Sequence, residues 1–273
     1  MKFLPLSDQD KQLLLNLHQF IYLSKEFIDK YIYIGNNEKN NYRRLSTLEK
    51  AEYITSFALP IHEGHKRPSN VYTLQKFGVD IVEQLTGITH WNQKWSLQPQ
   101  VWYMHTLNLA EVVKSFETHA KNVVVKEWIS EAKAHFKYDD SHVIRPDGIM
   151  VLGKTDADSN LGIMMEMERS YADRKGIIRK IEQYNHFFDK TNEEKYAERM
   201  KAYDYEVGFE YPVKHWMILF VDDNGSMGKR ILRYLKDHQS IVTLKVASKD
   251  DLIENPFGEV YRDLVNPQDM TGL

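Results

Sequence analysis

Three acidic residues, Asp147, Glu166 and Glu168, stand where a strand pattern would gather carboxylates. Asp147 follows Arg145-Pro146 at the entry to an apolar run, and Glu166 and Glu168 close the run from Leu161 to Met165. Residues two apart on a strand share a face, and strands joined through a short turn usually pair. The three side chains are therefore expected to converge. Hard carboxylate oxygens suit a divalent cation such as Mg²⁺ or Mn²⁺. Lys180, one turn before Tyr184 on a helical stretch, could project into the same site, and Glu131, about as far before Asp147 as Glu166 lies after it, could add a carboxylate. The plainer alternative is that these acids form surface ion pairs with Arg145, Arg169, Arg174 and Lys175.

Other chemistries find little support. The chain has no cysteine, which excludes disulfides, thiolate zinc sites and a cysteine nucleophile. His105, His119, His135 and His142 lack the spacing of a zinc helix and His186 and His215 stand alone, so core or surface roles are expected of them. The stretch Asp222-Asp223-Asn224-Gly225-Ser226 resembles the start of a calcium loop, but Arg233 falls near the place of the closing Glu, so it is read as a turn. No phosphate-cradling glycine string and no nucleophilic serine motif occurs.

The elements that position the carboxylates alternate in type. His105 to about His119 is expected to be helical, Val123 to Trp128 a strand, Asp173 to about Lys190 a helix with Ile177, Ile178, Ile181 and Tyr184 inward, and Trp216 to Val221 a buried strand. A helix to about Asp237 and a last strand from Ile241 to Val246 follow. This order predicts a mixed sheet with helices packed on it.

The N-terminal third reads differently. Leu13, Leu14, Leu17, Phe20 and Ile21 recur at helical spacing after Asp8, Ser24 can cap a second helix, and a third runs from about Asn40 to Ala51. With Leu45 and Leu48 inward, Arg43, Thr47 and Lys50 lie opposite and Arg44 at the flank. Strands from Tyr53 to Leu59 and from Val71 to Leu74 then bracket a loop bearing Lys66 and Arg67, which predicts a hairpin with a basic tip. A further helix runs to about Leu85, and Trp91, Trp95 and Trp102 mark a connector.

With 273 residues the chain is long enough for two domains at roughly 150 residues each. Its 27% charged and 42% hydrophobic residues exclude a disordered chain. The opening MKFLPLSDQD is too short in apolar residues for a secretory signal, and no run is long enough to span a bilayer, so residence in the cytoplasm without membrane attachment is expected. The net charge of −3 hides an asymmetry, since residues 1 to 100 carry a net +2 and the remainder −5. Between Glu38 and Lys76, seven basic residues face four acidic ones, which favours a local basic surface.

Three short helices followed by a hairpin resemble the winged helix-turn-helix, in which the third helix enters the major groove. That resemblance implies phosphate contacts by Arg43, Arg44, Lys50, Lys66 and Arg67, and base contacts by Asn40, Arg43 and Thr47. The strand-borne Asp within PDG, the Glu-x-Glu strand end and the Lys ahead of Tyr look like the PD-(D/E)xK nuclease fold, with Glu168 in the place usually held by Lys; that resemblance implies Asp147 and Glu166 as the metal ligands. The whole pattern, with YTLQKFG, RPDG, MEMERS and KIEQY, is similar to the replication-relaxation family of plasmids and other mobile elements, mainly of Gram-positive bacteria.

The fold expected is therefore a two-domain α+β and α/β chain. A winged helix would span 1–90, a connector 91–104, and a restriction-endonuclease-like mixed sheet flanked by helices 105–273. The resemblance implies a DNA-binding protein of replication, relaxation or conjugative transfer. Its catalytic residues would be Asp147, Glu166, Glu168, Lys180 and Glu131, with Mg²⁺ or Mn²⁺ as cofactor and DNA, a relaxase or replication protein, and a second copy as partners. A non-catalytic DNA-binding regulator or relaxosome accessory with a degenerate nuclease fold is the alternative.

Overall fold

A computed structural model describes residues 4–58, 70–87, 91–97, 103–168, 173–223 and 226–273. The chain divides into two compact units, Met1–Ala110 and Glu111–Leu273.

The first unit opens with α1 (Asp8–Phe20), whose Ser7 cap and Asp10 form a reciprocal capping box. Then come β1 (Leu23–Ser24), α2 (Lys25–Tyr31) capped by the Ser24 hydroxyl, and α3 (Glu38–Lys50) capped by the Asn37 side chain. The hairpin strands β2 (Ile54–Ala58) and β3 (Asn70–Leu74) pair antiparallel, and β1 joins the far side of β3, giving the sheet order β1-β3-β2. Helix α4 (Lys76–Thr86) follows. A Cβ on Gly78 would lie 2.0 Å from the Tyr53 carbonyl oxygen, so only glycine lets α4 approach the hairpin. Leu13, Leu14, Leu17, Phe20, Leu45, Leu48, Val71, Leu74 and Val82 form the unit's buried interior.

Of the stretch expected to be a connector, the described residues 91–97, 103 and 104 contribute to this unit. Trp91 and Trp95, the latter on α5 (Gln93–Leu97), pack with Tyr103 and Met104 around Ile21, Tyr22, Val71 and Leu107. The division between units falls later, after Ala110, within α6 (Tyr103–Thr118). Apolar burial explains the shift, since the tryptophans find partners on the first unit's own elements. Trp102 lies outside the described residues.

The second unit continues with β4 (Val123–Ser130), α7 (Glu131–Ala134), the short pair β5 (Phe136–Lys137) and β6 (Val143–Ile144), β7 (Gly148–Lys154) and β8 (Asn160–Glu168). Helices α8 (Arg174–Phe188) and α9 (Glu193–Val207) precede β9 (Val213–Asp222), α10 (Met227–Leu235), β10 (Thr243–Ser248), α11 (Lys249–Glu254) and β11 (Arg262–Asp263). The strand expected to be last, β10, thus has β11 as an antiparallel neighbour.

Six strands form one mixed sheet in the order β11-β10-β9-β8-β7-β4. Its centre is parallel, β8 with β9 and β9 with β10, whereas β4, β7 and β8 form an antiparallel meander. Ile149, Met164, Ile218, Phe220 and Val246 share a core with Ile177, Ile181, Tyr184, Phe187 and Phe188 of α8, Tyr203 of α9, and Met227 and Ile231 of α10. The alternate residues Met150, Leu152, Ile163 and Met165 are also buried, so both faces of the central strands are covered. No helix among the described residues is long and apolar enough to cross a membrane.

Candidate functional site

The site begins at the β7–β8 pair. Gly148 lies opposite Met165, and the Asp147 N–H donates to the Met165 carbonyl at 2.9 Å, so the ladder continues one residue beyond β7. The Asp147 carboxylate then accepts the Met167 N–H at 2.7 Å, which fixes it against the end of β8. The PDG glycine has a packing cause: a Cβ on Gly148 would lie 2.1 Å from the Trp128 ring.

Glu166 and Glu168 share the β8 face that also carries Met164, the face covered by α8. Glu166 is 1% exposed and Glu168 7%. From α8, the Lys180 ammonium donates to Glu166 Oε2 and to Glu168 Oε1, each at 2.7 Å. One helical turn on, the Tyr184 hydroxyl donates to Glu166 Oε1. Both oxygens of Glu166 are thus engaged by a single helix, and among the described residues the ion-pair partner of the two glutamates is Lys180.

Burial pushes the Glu166 carboxyl up to about 7; the negative charge of Asp147 pushes the same way, while Lys180 and Tyr184 oppose it. Burial disfavours the Lys180 ammonium, but Glu166, Glu168 and Asp147 outweigh it and hold the group protonated far above the usual range. Burial and the Glu166 charge likewise raise Tyr184. Asp147, Glu166, Glu168, Lys180 and Tyr184 therefore form one electrostatically coupled group at the end of β8.

Glu131 starts α7 directly after β4, whose Ser130 lies opposite Gly148, and its carboxylate is 3.5 Å from the Arg145 guanidinium. Asp222, read from sequence as a turn, is instead the last residue of β9, in register with Glu168. It is 1% exposed and accepts the Gly228 N–H at 2.7 Å, capping the entry to α10. Its buried place on the neighbouring strand adds a fourth carboxylate to this end of the sheet. The usable signal was the unbroken apolar run into Asp222.

The residues expected to touch DNA separate into three groups. Asn40, Arg43, Thr47 and Lys50 are exposed on α3, with the Thr47 hydroxyl donating to the Arg43 carbonyl at 2.8 Å. Arg44 differs from its expected role. Its guanidinium grips the fully buried Asp10 at 2.5 Å and the Pro5 carbonyl at 2.8 Å, while Tyr33 donates to the same carboxylate at 2.8 Å. A bidentate pair with a buried carboxylate leaves this arginine a structural clasp between α1 and α3. Lys66 and Arg67 lie outside the described residues, as does Arg169.

His142 and His186, taken as unconnected from their spacing, stack with ring centroids 4.0 Å apart. Hairpin β5–β6 and helix α8 bring them together.

A family model described as replication-relaxation matches residues 14–201, more than half of the 273-residue chain. Among solved structures, one described as the structure of restriction endonuclease FokI is similar over 93% of this chain, at 15% identity and a TM-score of 0.31. This chain spans only 45% of that one. No curated protein matches.

Proposed function

Because the chain belongs to the replication-relaxation family, we propose that it binds DNA of a plasmid or other mobile element and cuts a phosphodiester with Mg²⁺ or Mn²⁺. Residues 111–273 would be the restriction-endonuclease-like domain. The observation that carries this reading is the Lys180 ammonium lying 2.7 Å from both Glu166 and Glu168, at the strand end where Asp147 is pinned. A compact cation already sits between two carboxylates there, and all the ligating atoms are hard oxygens, a donor set that fits Mg²⁺ or Mn²⁺.

Asp147, Glu166 and Glu168 would hold the ion once their carboxylates close on it, because their oxygens do not all lie within 4.8 Å of one another as those of Asp139, His142 and His186 do. When bound, it would supply charge neutralisation at the attacked phosphate. Lys180, 31% exposed in its side chain, would orient the attacking water by hydrogen bonding. Tyr184 would keep Glu166 aimed at the site.

The order helix, strand, helix, helix and hairpin in residues 1–110 supports a winged helix, with α3 as the helix that meets duplex DNA. Arg43 and Lys50 would pair with phosphates, and Asn40 and Thr47 would reach base edges. Lys66 and Arg67 would touch the adjacent backbone. A relaxase or replication protein would be the partner in the cytoplasm.

The second reading, a non-catalytic DNA-binding regulator, is favoured by the same Lys180, since an internal ammonium already neutralises Glu166 and Glu168. Incubating supercoiled plasmid with Mg²⁺ or Mn²⁺ separates the two. Nicking by the native protein that Glu166→Gln abolishes supports the nuclease. Equal cutting by both removes the assignment, and DNA binding without cutting leaves the regulator.

A further inference from the structure

We propose that Asp139, His142 and His186 form a second metal site, one for a borderline transition ion such as Zn²⁺ or Co²⁺, clipping the β5–β6 hairpin to α8. It is separate in residues and in chemistry from the carboxylate site, and it does not depend on the nuclease reading.

Each of the three residues offers one ligand atom, and these atoms lie within 4.8 Å of one another. One carboxylate with two imidazoles favours Zn²⁺, Co²⁺ or Ni²⁺ over Mg²⁺ and Ca²⁺, which prefer oxygen sets. Asp139 Oδ2 lies 2.8 Å from His142 Nδ1, a direct hydrogen bond that an entering ion would replace by widening the pair to about 3.4 Å, the spacing of two tetrahedral ligands with bonds of about 2.1 Å.

The ligands are also held in place. The Asp139 carboxylate accepts the N–H groups of Ser141 and His142, each at 2.8 Å, so the turn that carries His142 also aims the acid. On α8, His186 Nδ1 meets the Tyr138 hydroxyl at 2.9 Å. In the tautomer whose Nδ1–H donates to Tyr138, the His186 Nε2 lone pair is available to an ion. Such an outer hydrogen bond is the usual means of orienting a ligating imidazole. The hairpin is anchored to α8 by Tyr138 on Phe187, ring centroids 5.3 Å apart.

The clip joins two segments that build the carboxylate site. Beyond β6 the chain runs through Arg145 and Pro146 to Asp147, and α8 carries both Lys180 and Tyr184. A metal at Asp139, His142 and His186 would restrain the approach of Asp147 to α8.

The test is titration of the native protein with Co²⁺, followed by visible absorption, and with Zn²⁺, followed by calorimetry and thermal unfolding. Expected, in a background of excess Mg²⁺, are one tightly held ion per chain and a raised unfolding temperature. His142→Gln and His186→Gln should each abolish the absorption band and the thermal shift, and Tyr138→Phe should weaken binding by about tenfold. With excess Mg²⁺ present to occupy the carboxylate site, the absorption band of the native protein should persist. No binding, equal binding by the histidine variants, or loss of the band on adding excess Mg²⁺ would overturn the proposal. All variants are compared by circular dichroism, so that loss of the fold is distinguished from loss of the site.

Discussion

Lys180 reaches across from α8 to place its ammonium 2.7 Å from Glu166 Oε2, so that a residue 1% exposed is neutralised by one that still touches solvent. This pair gives the site its internal cation. It also sets a competition, because an ion entering between Glu166 and Glu168 must share them with Lys180.

Lys180→Met should therefore do two things. It leaves two sequestered carboxylates without their partner, which costs about 3 kcal/mol of stability in urea unfolding. Millimolar Mn²⁺ should restore part of that loss in the variant while altering the native protein less. A purely structural ion pair would show the loss without the rescue.

The raised Glu166 carboxyl makes stability depend on pH. Its ordinary value of 4.5 rises to about 7 in the fold, so the folded state binds the proton more tightly than the unfolded chain. This group's contribution is fully present below about 4.5 and is lost as pH rises through about 7. In metal-free buffer, urea midpoints compared between about pH 5 and about pH 8 should show a fall that Glu166→Gln removes. An identical fall in both proteins would assign the dependence elsewhere.

Arg43 and Arg44 adjoin in sequence and should behave oppositely. Arg44→Ala strips the buried Asp10 of its clasp and should cost about 3 kcal/mol of stability. Arg43→Ala should leave stability within about 0.5 kcal/mol. It should instead weaken DNA binding and reduce the salt slope by about 1. Fluorescence anisotropy over a salt series, beside urea unfolding, reads both effects.

Gly148→Ala should destabilise by about 1–3 kcal/mol, because a methyl placed 2.1 Å from the Trp128 ring forces the β4–β7 contact apart. Thermal unfolding checks it. An unchanged midpoint would mean that Trp128 swings aside freely.

Much of this architecture was legible because its signals are local. Ser24 caps α2 from its place just before the apolar Phe27 and Ile28, and Glu166 and Glu168 share a face through strand alternation alone. The hidden parts depend on contacts distant in sequence. Arg44 looked like any flanking cation because its partner Asp10 lies on another helix. Helix α9 buries only Tyr203 and Val207, too few for a readable apolar stripe. Strands β5 and β6 are two residues each, too short to alternate, and so the meeting of His142 with His186 could not be foreseen. Asp222 was masked by the turn-forming residues that follow it.

Mn²⁺ binding followed by electron paramagnetic resonance, on the native protein, Asp147→Asn and Glu168→Gln, tests the central claim most directly. The account predicts that the native chain binds the ion and that each variant, with its fold intact by circular dichroism, binds at least about tenfold more weakly. Equal affinity in all three, or no binding by the native protein, would contradict a divalent-cation seat at the end of β8.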